Sequence, residues 1–339
     1  MYPELFKIPF VNLTVKSYGL MMVIAFLAAV SLIRRFSRNI TPDPGLITNA
    51  ALYSLIAGVV GARLFYVVHH FDLFRGNLSS VFVLWKGGLE LLGGVILAIA
   101  VIFFYLWYHK LPIRRYLDIL AIGLMLALAF GRIGCFLNGC CFGKQTKLPW
   151  AVRFPYNSPA YRSQVFPDLA RNRSQPYLRL PAEFFGFYEE GGRSFYSLKP
   201  YQDLTAEQKY MVEKGSLRSL PVHPTQLYSS ANGAVLCLLL YLFWRRSQKK
   251  AATNTTSLFA KPGSTFSLMF ILYGITRFGI EFIRDDNPFG FAGLTISQNI
   301  SIFLLIPMGV VLMVIFQSIE NKIEYRVTRT KYQENGSLR

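Results

Sequence analysis

The sequence predicts an all-α integral membrane protein. The expected fold is a bundle of about seven transmembrane helices, with the N-terminus outside, the C-terminus cytoplasmic and one long extracytoplasmic segment. Three observations carry that expectation. The 339-residue chain is 53% hydrophobic and 15% aromatic but only 16% charged, a balance foreign to an ordinary soluble domain, and its mean hydropathy is +0.34. Seven apolar runs come near the roughly 17 to 25 residues that a bilayer span needs. The net charge of +18 falls largely in short clusters between those runs, the pattern of membrane topology. It is not the basic face of a soluble nucleic-acid-binding fold, so nucleic acid is not an expected partner.

Taken in order, the runs are Tyr18 to Ile33, Leu46 to His69, Gly88 to Tyr108, Tyr116 to Phe136, Pro224 to Trp244, Phe266 to Ile283 and Leu294 to Ile319. The first lacks a basic leader and a small-residue cleavage site ahead of it, which reads as a retained helix rather than a signal peptide. Basic clusters follow the first run (Arg34, Arg35, Arg38), the third (Lys110, Arg114, Arg115), the fifth (Arg245, Arg246, Lys249, Lys250) and the seventh (Lys322, Arg326, Arg329). That alternation sets the expected orientation. It divides the chain into helices one to four (1–138), an extracytoplasmic insert (139–222), helices five to seven (223–320) and a loose cytoplasmic tail (321–339). The insert is basic too, but long translocated segments escape the charge rule. Its aromatic stretch Phe184 to Tyr188 suits packing on the interface.

The second, fourth and sixth helices run from cytoplasm to outside, and each carries an arginine about two turns before its outer end: Arg63, Arg132 and Arg277. At about 1.5 Å per residue the three lie at similar depth. Tyr18, Glu90, Gln298 and the run from His223 to Tyr228 start the partner helices at the same level. On the sixth helix Tyr273, Arg277, Glu281 and Arg284 follow at four, four and three residues, one stripe on one face. A charged stripe facing lipid costs roughly 2.5 kcal/mol or more per group, so it is expected to face protein or a wet cavity. Taken singly, Arg277 and Glu281 make an ion pair and Arg63 an interfacial anchor; three at one depth point to a site. Arginine's planar fork matches phosphate, so the cluster suits a phospholipid headgroup. Glycines at 58, 61, 87, 88, 93 and 94 suit closely packed helices. Gly139 and Gly143 allow a sharp turn beside the cysteines.

These residues resemble a known family, the prolipoprotein diacylglyceryl transferases. The segment Gly131 to Cys140 is similar to its Gly-Arg-Ile-Gly-Asn-Phe-x-Asn-Gly-Glu signature. Tyr18-Gly19-Leu20, Gly61 to Leu64, His223 to Tyr228 and the set Tyr273, Arg277, Phe278, Glu281, Phe282, Arg284 match further motifs in order. The resemblance implies transfer of the diacylglyceryl group of phosphatidylglycerol to the lipobox cysteine of a preprolipoprotein signal peptide, with glycerol 1-phosphate released. It implies a multi-pass protein of the bacterial inner membrane among membrane lipids, acting at the outer leaflet without metal or cofactor. Arg132 and Arg277 are the expected catalytic pair on the phosphate. Tyr18, Arg63, Asn138, Gly143, His223, Gln226, Tyr273, Glu281 and Arg284 are the expected substrate-binding set.

Two departures from the family stand out. Leu92 occupies the position of a histidine regarded as catalytic, and Glu90 lies on a different helical face. Cys135 and Cys140 replace the signature's Asn and Glu, and Cys141 follows; small buried fillers are the favoured reading and a disulfide the lesser one. Zinc would need further ligands that the stretch lacks. The alternative function is a fold-sharing paralogue that handles another anionic phospholipid. A transporter is disfavoured, because the inner halves of the helices are apolar and no internal repeat is evident.

Overall fold

Helix α4 is the axis around which the chain is built. In the computed structural model, which describes residues 4–8, 13–38, 40–41, 43–74, 78–83, 88–190, 193–252 and 261–318, a short hairpin, β1 (Glu4–Ile8) and β2 (Leu13–Lys16), leads into α1 (Ser17–Ser37). Then come α2 (Gly45–His69), α3 (Leu91–Tyr108) and α4 (Ile113–Asn138). Between α4 and the next long helix lie α5 (Pro159–Val165), a hairpin of β3 (Phe185–Glu190) and β4 (Arg193–Leu198), and α6 (Ala206–Glu213). The chain closes with α7 (Thr225–Ala252), α8 (Ser264–Glu281), α9 (Ile296–Ile300) and α10 (Ile306–Ser318). Residues of the expected tail and Gly87 lie outside the described set.

Helix α4 packs against α1, α7 and α8, while α2 pairs chiefly with α3 and α8 with α10. Small residues set these approaches. A Cβ on Gly233 of α7 would stand 3.1 Å from the backbone of Ala129 and of Met125. In the α2–α3 pair, a Cβ on Gly61 would lie 2.5 Å from the Gly93 carbonyl oxygen, and one on Gly94 would lie 2.7 Å from that of Gly58. Backbones this close are the small-residue packing of membrane helices, as the glycine spacing predicts. The core of the bundle gathers Tyr116, Ile119, Ile122 and Met125 of α4 with Leu236, Leu240 and Trp244 of α7 and Met269 of α8. Leucine, valine and isoleucine on the outward faces of α1, α2, α3, α7 and α10 stay exposed, a belt too extensive for a protein surrounded by water.

Among the described residues, six helices are long and apolar enough to cross a membrane: α1, α2, α3, α4, α7, and the stretch Ile296–Ser318 that contains α9, a π-turn and α10. The expected sixth span, α8, is not among them. Its polar stripe and the hydroxyls of Ser264, Thr265, Ser267 and Thr276 make it the least lipid-like of the long helices. It is packed against α4, α7 and α10 instead. Its start is fixed by Asp118 of α4, only 3% exposed. The carboxylate accepts the backbone N–H groups of Gly263 at 2.8 Å and Phe266 at 3.0 Å, a cap delivered from another helix.

Residues 139–222 fold around their own core of Tyr156, Tyr161, Val165, Leu178, Phe184, Leu198, Leu204 and Val212. A second cluster, Phe142, Phe154, Ala160 and Val222, joins that unit to the end of α4. Buried Gln164 uses both ends of its amide on Leu220, at 2.8 and 3.1 Å. Phe187 and Tyr196 on the β3–β4 hairpin remain exposed.

Candidate active site

The site forms where α4 ends, and its first determinant is the way that helix stops. Gly139 takes a left-handed conformation (φ 78°), with its N–H and that of Cys140 bonded back to the Cys135 carbonyl at 3.0 and 3.2 Å. This glycine C-cap turns the chain so that Cys140 and Cys141 come back over Cys135. The turn is strapped down from α7. Gln226 Nε2 donates to the Cys140 carbonyl at 2.6 Å and Thr225 Oγ1 to the Cys141 carbonyl at 2.7 Å. Gly143 N–H bonds to the His223 carbonyl at 3.1 Å, and Gly143 bridges antiparallel to Arg284. A Cβ on Gly143 would sit 2.6 Å from that of His223, so glycine is required there by space.

The α8 stripe supplies the charges. Arg277 Nη1 lies 2.7 Å from Glu281 Oε2, and its Nη2 donates to Ser297 Oγ at 2.8 Å. The Glu281 side chain is 0% exposed and also accepts from Asn287 Nδ2. Arg284 stands 3.8 Å from Glu281 and grips Asp286 through two bonds, 2.8 and 2.6 Å. Burial pushes the Asp286 carboxyl above its usual range while the Arg284 fork pulls it down. The same carboxylate helps hold the Arg284 guanidinium charged against burial. A two-pronged pair at these distances is assigned as ionised. Arg284 Nη1 is buried and has no hydrogen-bond partner among the described residues.

Arg132 differs from both: among the described residues it makes no hydrogen bond or ion pair. Its electrostatic neighbours are Cys141, Arg284, Tyr273 and Cys135, and Tyr18 sits within reach of it and of all three thiols. The Tyr18 ring packs on Gly134, 3.3 Å from where a Cβ would lie. The hydroxyls of Tyr18 and Tyr273 are likewise unbonded among the described residues. Asn138 is the last residue of α4, beside the Gly139 turn and close to Cys140. Cys140 Sγ donates to the Cys135 carbonyl at 3.7 Å, and the Cys141 thiol is pulled below its ordinary range, first by the adjoining Cys135 and Cys140 thiols and then by Arg284 and Arg132. Two or three guanidiniums, two free phenols and an unpaired fork make a receptor for a multiply charged oxyanion such as phosphate.

The structure thus brings together Tyr18, Arg132, Asn138, Tyr273, Arg277, Glu281 and Arg284, with Gly143 and Gln226 holding the loop. Two expected members are occupied elsewhere. Arg63 donates through Nε to the Val81 carbonyl at 2.7 Å, through Nη2 to Ser80 at 2.7 Å and through Nη1 to Gly88 at 2.9 Å. Those bonds tie down the connection between α2 and α3. His223 faces Tyr228, Nδ1 to hydroxyl 3.4 Å, and that hydroxyl also accepts from Trp150 at 2.7 Å. Leu92 is 61% exposed at the first turn of α3. Glu90 pairs with His69 at 2.7 Å and lies 3.8 Å from His70. Sequence reasoning missed Ser297, Asn287 and Asp286. The last two directly follow the Arg284 motif and were the findable ones.

The chain matches the family model described as prolipoprotein diacylglyceryl transferase over residues 3–315. It is similar to proteins named phosphatidylglycerol–prolipoprotein diacylglyceryl transferase from several bacteria. The Clostridium tetani protein is 28% identical over 306 residues, covering 90% of this chain and 94% of the relative. The Xanthomonas euvesicatoria pv. vesicatoria protein is 29% identical over 305 residues, covering 87% and 85%. The Prochlorococcus marinus protein is 28% identical over 326 residues, covering 89% and 87%. The chain belongs to the prolipoprotein diacylglyceryl transferase family.

Proposed function

We propose that this member of the prolipoprotein diacylglyceryl transferase family moves the diacylglyceryl group of phosphatidylglycerol onto the lipobox cysteine thiol of a preprolipoprotein. Glycerol 1-phosphate leaves. The observation that carries the reading is the unpaired Arg132 guanidinium among Tyr18, Tyr273 and Arg284 at the end of α4. Displacement at the glyceryl carbon puts negative charge on the departing phosphate, and fixed cations stabilise it most where water is scarce. Arg132, with its donors free, binds the phosphate. Arg277 joins it, oriented by Glu281 and Ser297. Arg284, Asp286 and Asn287 hold Glu281 and the loop in place. Tyr18 and Tyr273 donate to the headgroup.

The topology belongs to the same proposal. Seven spans, with α8 crossing inside the bundle rather than against lipid, put the N-terminus and residues 139–222 outside and the C-terminus in the cytoplasm. The site then opens on the outer leaflet of the inner membrane, where phosphatidylglycerol and a translocated signal peptide meet. The basic clusters after the first, third and fifth helices support that orientation.

The test uses purified protein in phosphatidylglycerol micelles with a lipobox signal peptide, and glycerol phosphate release is measured. Release that needs the peptide and falls about 10²- to 10³-fold in Arg132→Ala is the expected result. A folded protein that binds the lipid but releases nothing with any lipobox peptide overturns it and favours the paralogue.

A further inference from the structure

The three cysteines remain without a role in that mechanism, and they are not scattered. The Sγ atoms of Cys135, Cys140 and Cys141 all lie within 4.8 Å of one another, the one such cluster of potential metal ligands among the described residues. Three sulfurs on one zinc ion, each about 2.3 Å from it, stand roughly 3.8 Å apart. Small rotations of the side chains close that gap.

We infer that Cys135, Cys140 and Cys141 form a three-thiolate site for a thiophilic divalent cation, Zn²⁺, whose open fourth position takes the sulfur of the substrate cysteine. The inference rests on the transferase reading for its second half only. It departs from the expectation of a metal-free site, which rested on the family resemblance and on a shortage of ligands along the sequence.

Four features of the structure support it. The loop is held in a form it would not keep unaided: Cys141 has φ 59°, rare for a residue with a side chain. It is fixed by the Gln226 and Thr225 bonds to the carbonyls of Cys140 and Cys141. Strain maintained by outer bonds is how ligand positions are set. Three protein ligands with no fourth His, Cys, Asp or Glu in the cluster is the ligand count of a catalytic zinc rather than a structural one. Charge is also suited. Zn²⁺ with three thiolates carries −1, and Arg132, which has no carboxylate partner among the described residues, lies beside Cys141 and Cys135. Finally, the candidate proton acceptors around the site are already engaged. Glu281 is held by Arg277 and Arg284, Asp286 by Arg284 and Glu90 by His69, and His223 faces Tyr228.

Binding of the ion releases the three thiol protons. The substrate thiol then displaces the metal-bound water and gives its proton to solvent, because a coordinated thiol is deprotonated outright. The bound thiolate attacks the glyceryl carbon that carries the phosphate. The C–S bond forms as the C–O bond breaks, and the electron pair departs on the phosphate oxygen facing Arg132 and Arg277. The thioether product, neutral and a weaker donor, gives way to water. No oxidant or reductant enters.

The experiment begins with metal, not activity. Full-length protein, purified in detergent under reducing conditions and stripped with chelator, is titrated with Zn²⁺ and separately with Co²⁺. The expected result is about one tightly held ion per chain and a thiolate-to-cobalt charge-transfer band. Both are lost in Cys140→Ser/Cys141→Ser and weakened about tenfold or more in Cys135→Ala, while Cys237→Ser on α7 binds as the native chain does. Native protein that holds no ion and whose three thiols react freely, or are joined in a disulfide, overturns the site. With phosphatidylglycerol and lipobox peptide, the stripped enzyme is expected to slow about tenfold or more and Zn²⁺ to restore it. Equal rates with and without bound metal overturn the catalytic half and leave the site standing. Metal binding with no release from any form overturns the transferase reading instead.

Discussion

Arg63 in the α2–α3 pair and Arg132 at the end of α4 look alike in sequence, each an arginine two turns from the same end of an apolar helix. In the folded chain they are opposites. Arg63 aims its fork at three backbone carbonyls of the α2–α3 connection, 2.7 to 2.9 Å away, with Tyr66 and Phe74 flanking the guanidinium. A polar loop at membrane depth needs donors for its carbonyls, and Arg63 supplies them. Arg132 has tyrosine, cysteine and arginine around it, and none of them bonds to it. Depth along a helix therefore does not tell a structural clamp from a ligand-binding cation; the destination of the donors does. Arg277 stands between the two, partly engaged by Glu281 and Ser297, as a cation held ready in a fixed pose.

The largest effect that would sharpen this comparison is expected at Glu281. Glu281→Ala leaves Arg277 and Arg284 buried without their shared carboxylate. It should cost about 3–5 kcal/mol, read as earlier thermal aggregation in detergent together with loss of transfer. A near-native melting profile would mean that the two arginines find other anions. Arg63→Ala is next. Three half-buried carbonyls lose donors, a loss of about 1–3 kcal/mol, while the KM for phosphatidylglycerol and the rate of the surviving folded enzyme stay within about threefold. A selective rise in that KM would break the comparison and return Arg63 to the binding set. Tyr228→Phe is the mildest. Removing the hydroxyl shared by Trp150 and His223 should lower stability by about 1 kcal/mol and change the rate less than about twofold. A hundredfold loss of rate would give His223 a direct part in the chemistry.

Much of the architecture is local in origin and was legible along the chain. The long apolar helices, the glycine-to-glycine contact of α2 and α3, and the α8 stripe of Tyr273, Arg277, Glu281 and Arg284 follow from residue spacing alone. Spacing fixes which side chains share a helical face. Helix ends were less legible. The third helix starts at Leu91 rather than Gly88, where Gly88 has φ 77°, and the last one is interrupted by a π-turn. Nor does hydropathy foresee that α8 is covered by α4, α7 and α10, since it scores a helix against lipid and ignores neighbours.

By itself, then, the sequence determined the membrane class, the family and the list of arginines, because composition, periodicity and motif order need no third dimension. Tertiary structure decided which arginine keeps its donors free, that Asp118 caps α8 across the bundle, and that Cys135, Cys140 and Cys141 meet. Each of those is a contact between elements far apart in sequence or a turn imposed from α7. Such contacts exist only once packing has fixed the backbones and the Gly139 turn has folded two thiols back onto the third.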